Sequence, residues 1–136
     1  MRLSLFLSLM LIAPFGSAYS EEYGVQRGTR KALVIGNARY RGTMNALRNP
    51  IRDAKAVARA LKGTGFRVTT KYNLKRKGLK RAVGRFSKTL KQDDVALIYY
   101  AGHGMAFNGE NYLIPVNLKA KTEAGAAEDS FRINGL

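Results

Sequence analysis

The chain has no cysteine among its 136 residues. That one absence excludes disulfide staples, thiolate metal sites, a lipidated cysteine and a cysteine nucleophile carried by this chain. It has a single histidine, His103, so a multi-histidine metal site is excluded as well. No metal or cofactor is expected. Acids are scarce, with 9 Asp and Glu against 24 Lys and Arg, for a formal net charge of +15. The length allows one domain. With 46% hydrophobic residues the composition is that of a globular chain with a core, not a disordered one.

The first segment reads as an address. Met1 and Arg2 form a short positive start, and residues 3–15 are apolar except for Ser4, Ser8 and Pro14. Gly16, Ser17 and Ala18 then supply the small residues of a cleavage site. This is the pattern of a secretory signal peptide over residues 1–18, with Ser20 as a second cleavage point. The competing reading is an uncleaved membrane anchor, for which the apolar run is short. The expectation is a secreted or periplasmic protein with no membrane segment after cleavage.

The positive charge is concentrated. Between Arg27 and Lys91 there are 20 Lys and Arg and one acid, Asp53. Such a field draws polyanions such as nucleic acid, anionic lipid or acidic polymers, and non-specific polyanion binding is one partner class it implies. The plainer reading is a set of solvated helix faces, since Lys and Arg are good helix formers. No nucleic-acid-binding motif accompanies the charge.

Residues 31–36 form a short apolar run ending in glycine, the mark of a buried strand. After a polar loop over 37–48, Asn49-Pro50 is a helix start, Asn able to cap and Pro suited to the first turn. Ile51, Ala54, Val57, Ala58 and Leu61 continue one apolar stripe until Gly63 and Gly65. Residues 66–70 alternate as a strand, and Leu79, Val83, Phe86 and Leu90 mark a second amphipathic helix. Residues 95–100 are an unbroken apolar strand leading into Ala101-Gly-His-Gly104. A last short strand is expected over 112–116, and the tail over 119–136 gives little signal. Strand, helix, strand, helix, strand predicts an α/β fold with a mostly parallel sheet flanked by helices.

In such sheets the working site lies beyond the carboxyl ends of the strands, where His103 falls. Flanking glycines leave its ring unshielded, and the Gly104 amide is suited to a developing oxyanion. An imidazole there can act as general base and acid. The alternative is a surface histidine in a glycine-rich turn. A base also needs a nucleophile, and Ser87 and Ser130 have no supporting motif.

Several segments, in order, carry a resemblance: K-A-L-V-I-G-N from Lys31, L-R-N-P-I-R-D-A from Leu47, L-K-G-T-G-F from Leu61, D-V-A-L-I-Y-Y-A-G-H-G from Asp94 and G-E-N-Y-L-I-P from Gly109. Over roughly residues 30–118 the chain resembles the large-subunit domain of caspase-like peptidases, of the bacterial metacaspase (orthocaspase) type. The resemblance implies a caspase-hemoglobinase-like three-layer fold and a cysteine-type endopeptidase acting on peptide or protein substrates. His103 matches the catalytic histidine and Gly104 the oxyanion-hole amide. Asp53 matches the acid that selects Arg or Lys, although it equally reads as a first-turn helix acid favoured by the macrodipole.

The chain departs from that pattern at three points. Ala101 stands where the family has Ser in the substrate pocket, and Pro50 stands in place of a cysteine. The nucleophilic cysteine of the family lies about 50 residues beyond the histidine, past Leu136. The expectation is a fold incomplete on its C-terminal side and inactive alone, with a second chain as a source of the cysteine segment. The alternative is a secreted basic pseudopeptidase that binds a peptide or polyanion. No acidic cluster matches the calcium site of some metacaspases.

Overall fold

The computed structural model describes residues 28–133 and, as backbone alone, one strand at residues 6–14. In chain order the elements are β1 (Phe6–Pro14), β2 (Arg30–Gly36), α1 (Pro50–Gly63), β3 (Arg67–Tyr72), α2 (Arg76–Thr89), β4 (Val95–Phe107), β5 (Glu110–Leu113), α3 (Glu123–Asp129) and β6 (Phe131–Arg132). The sheet runs β3-β2-β4-β5-β6, and off that path β1 pairs antiparallel with β4. Its core is parallel, Leu33 lying opposite both Thr69 and Ile98, and β5 and β6 add antiparallel strands. The small residues expected to form the leader's cleavage site lie outside the described residues.

Alternation along β4 divides the core in two. Ala96, Ile98 and Tyr100 face α2, where they meet Leu33, Ile35, Leu79, Val83 and Phe86. Leu97, Tyr99 and Ala101 face α1, packing with Ala32, Val34, Ala54 and Ala58. Both faces of the central strands are covered, which is why β2 and the first half of β4 read as continuous apolar runs rather than as alternating ones. Each large side chain buried this way contributes about 1.5–3 kcal/mol. The α/β architecture expected from the sequence is therefore the one found, with a helix on each face of a parallel core.

Four local details differ from the sequence expectation. Asn49 sits at the start of α1 but makes no side-chain cap, because its backbone is itself in the helical region (φ −98°, ψ −25°). The third strand does not end before Gly102. It runs on to Phe107, since Asn108 (φ 50°) and Gly109 (φ 76°) form a two-residue turn that pairs Phe107 with Glu110. The strand expected at 112–116 is shifted to Glu110–Leu113, ahead of Pro115, which has no N–H to give a ladder. The tail is structured over residues 123–132. Thr122 caps α3 by accepting the Gly125 N–H at 3.2 Å, Ala126 and Ala127 are buried, and Phe131 pairs with Leu113. Its alanines pack into a third cluster with Met105, Ile114 and Leu118, a contact no local pattern announces.

Candidate active site

The carboxyl ends of β2 and β4 converge, with Gly36 opposite Ala101. Gly36 admits the start of α1 to this end of the sheet: a Cβ there would stand 2.8 Å from the Pro50 carbonyl oxygen and 3.0 Å from the Ala54 Cβ. Asn37 follows and is fully buried. Its Oδ1 accepts the Leu74 N–H at 2.8 Å, and its Nδ2 donates to the carbonyls of Leu74 and Ile114, each at 3.3 Å. One side chain thus ties together the ends of β2, β3 and β5. Asn73 holds the next stretch of loop, accepting the N–H groups of Ala38 and Arg39 at 3.0 and 2.9 Å.

His103 is half-buried within β4. Its Nε2 lies 2.9 Å from the backbone carbonyl of Asn45. A carbonyl only accepts, so Nε2 carries the proton and the neutral ring keeps Nδ1 as its proton acceptor. The imidazole meets the ring of Tyr40 edge to face, centroids 4.5 Å apart at 68°. The His103 backbone N–H donates to the Tyr40 hydroxyl at 2.8 Å. The Tyr100 hydroxyl lies 3.0 Å from that of Tyr40 and donates toward the carbonyls of His103 and Ile114, each at 3.0 Å. Burial raises the pKa of both phenols above the ordinary value of about 10. They therefore remain protonated, and able to donate, at neutral pH.

Gly104 is positioned by strand parity. Ile114 N–H donates to the His103 carbonyl at 3.0 Å, and the tight turn makes Phe107 and Glu110 a hydrogen-bonded pair. Hydrogen-bonded pairs alternate along an antiparallel ladder, so Gly104, opposite Leu113, turns its amide away from β5. Val95 N–H donates to Thr29 and Ala101 accepts from Asn37, so odd-numbered residues of β4 point to the β2 side. The Gly104 amide thus points to the other edge, one residue past the β1 ladder, which ends at Phe6 opposite His103. A donor beside a base is the pairing that acyl transfer requires.

Alternation also puts His103 on the α1 face of the sheet, the face and end where Asp53 stands in the first turn of α1. The Asp53 carboxylate is about half exposed, 3.9 Å from Arg52 Nε. Among the described residues no hydrogen bond joins it to His103. Ala101 is 6% exposed and packs into the α1-side cluster, its methyl directed into core rather than toward a cleft. The described residues hold no group of three or more His, Cys, Asp or Glu suited to a metal ion.

The sequence marks His103 and Gly104 as candidates but not Tyr40, Asn37 or the Asn45 carbonyl, which the structure brings beside them. Tyr40 and Asn37 sit beside a polar stretch that resembles an ordinary loop. A backbone carbonyl leaves no trace in sequence at all.

This α/β sheet, with His103 and the Gly104 amide adjacent in its central strand, defines a class of domain. The caspase domain family matches residues 29–134, and the chain belongs to that family. Over 86 residues, 63% of the chain, it is 33% identical to human mucosa-associated lymphoid tissue lymphoma translocation protein 1. The mouse homolog is 31% identical over the same length. The matched segment spans about 10% of each of these curated relatives. With no cysteine, the chain lacks the nucleophile on which a cysteine peptidase depends.

Proposed function

We propose that this domain carries the histidine and oxyanion half of a caspase-like cysteine endopeptidase site, of the bacterial metacaspase type, and is non-catalytic alone. The observation that carries this reading is the pairing of a tautomer-fixed His103 with an outward-turned Gly104 amide in a chain without cysteine. In this reading His103 is the base that takes the thiol proton, through Nδ1, and Gly104 stabilises the oxyanion. Asp53 selects Arg or Lys, Ala101 lies behind the pocket, and the protein works outside the cytoplasm after its leader is removed.

A second chain supplying the cysteine would have a place to join. Strand β1 pairs with the outer edge of β4 from Val95 to His103, so that edge opens as far as Gly104 once the leader carrying β1 is removed. Extending the coding DNA past Leu136 tests the reading. A downstream frame bearing a cysteine about 50 residues beyond His103 would, mixed with this chain, cleave fluorogenic peptides after Arg or Lys. The chain alone should show no turnover; turnover that His103→Ala abolishes would overturn the non-catalytic assignment.

The second reading, a secreted basic module binding a polyanion, is favoured by one observation. Arg52, Lys55, Arg59 and Lys62 are exposed on α1, and Lys77, Lys80, Arg81, Arg85 and Lys88 on α2. These faces lie on opposite sides of the sheet and carry no compensating acid except Asp53.

A further inference from the structure

Tyr40 touches His103 twice. Its hydroxyl accepts the His103 N–H at 2.8 Å, and its ring meets the imidazole edge to face. A buried tyrosine with a merely structural role needs only one carbonyl to satisfy its hydroxyl. Here the hydroxyl donates toward the Ile114 carbonyl at 3.3 Å and in addition takes the backbone donor of the residue whose side chain its own ring contacts.

The residues around it make Tyr40 a fixed support. Asn73 Oδ1 holds the N–H groups of Ala38 and Arg39, Leu47 N–H donates to Ala38 at 2.9 Å, and Arg41 N–H donates to Val116 at 2.9 Å. From the other side, Tyr100 reaches the His103 carbonyl, so the two phenols grip both polar groups of His103's backbone. Gly102 leaves the room for this. A Cβ at that position would stand 2.6 Å from each hydroxyl.

We propose that Tyr40 is the positioning residue of the site. Its hydroxyl fixes the His103 backbone, and its ring fixes the plane of the imidazole, so that Nε2 meets the Asn45 carbonyl and Nδ1 is presented as the base. The importance of this for chemistry rests on the reading of His103 given above. Its geometry does not, and the experiment below needs neither a nucleophile nor a substrate.

The full chain labelled with 15N-histidine gives a single imidazole system, because His103 is the only histidine. In the wild-type protein the Nε2–H proton is protected from water and the ring nitrogens report one tautomer. Tyr40→Phe keeps the ring and removes the hydroxyl: the His103 backbone amide exchanges about tenfold faster, while the imidazole pattern persists. Tyr40→Leu removes both contacts, and the Nε2–H resonance is lost to exchange with water. Tyr100→Phe is the comparison. It loosens the same network and lowers stability, but leaves the protected Nε2–H in place.

Retention of that resonance in a folded Tyr40→Leu protein overturns the proposal, as does an unchanged His103 amide rate in Tyr40→Phe. Loss of the resonance in Tyr100→Phe also overturns it, since loosening alone would then suffice. If Tyr40→Leu does not fold, the Phe variant decides, because it preserves the ring's volume. A failure of the peptidase reading would leave all of these signals unmoved, so the two cannot be confused.

Discussion

The backbone carbonyl of Asn45 receives the Nε2–H of His103 across 2.9 Å, joining the loop after β2 to the carboxyl end of β4. The two residues are 58 positions apart, and the acceptor is main chain, so the identity of residue 45 is irrelevant to the bond. This gives the site an orienting group that side-chain mutagenesis does not remove.

Asn45→Ala should accordingly leave the imidazole signals of His103 unchanged and alter stability by less than about 0.5 kcal/mol, the usual range for exposed substitutions. Urea unfolding together with the 15N-histidine spectrum checks this. A shift of the His103 tautomer would show that the Asn45 side chain, not its carbonyl, sets the geometry.

Asp94 makes the fold acid-sensitive. Its carboxylate meets Lys31 Nζ at 2.6 Å and accepts the N–H groups of Lys91 and Thr29 at 2.9 and 2.8 Å. The Lys31 contact, followed by the two backbone donors, holds its pKa at about 2, below the usual value of about 3.9. A depressed carboxyl stabilises the fold fully above its unfolded pKa and loses that contribution as pH falls through the folded one. The melting temperature should therefore drop between about pH 4 and pH 2. Asp94→Asn should melt lower at neutral pH and show a flatter acid limb. Equal acid limbs in the two proteins would assign the sensitivity elsewhere.

Gly102→Ala should destabilise the chain by about 1–3 kcal/mol, the usual cost of forcing a group into filled space. Its new Cβ would fall 2.6 Å from both tyrosine hydroxyls. In combination with Tyr40→Phe the two losses should not add, because one of the colliding oxygens is already gone. Urea midpoints of the four proteins of the cycle measure this, and strict additivity would mean that the glycine serves some other purpose.

The basic faces predict salt-sensitive binding to polyanions. Affinity for a short DNA duplex, used as a generic polyanion, should fall at least about a hundredfold between roughly 50 and 200 mM salt if four or more contacts form. Charge reversal at Lys80, Arg81 and Arg85 on α2 should flatten that slope. A slope near zero would mean that these faces are only solvated.

Helix stripes, strand runs and turn residues are local, so the sequence by itself determined α1, α2, the parallel core and the position of His103 just past the apolar run of the central strand. Period-two and period-3.6 patterns survive any global arrangement. Absence is equally legible: a chain without cysteine cannot supply a thiolate, whatever its fold. The tertiary structure alone decided the rest. Gly102 and Gly104 resemble a strand terminus, yet β4 continues through them, and at Gly102 the hydroxyls of Tyr40 and Tyr100 occupy the space that a side chain would fill. Those two tyrosines are 60 positions apart. Their meeting, like that of His103 with the Asn45 carbonyl, follows from how β2 and β4 lie side by side, and no periodicity along the chain encodes it.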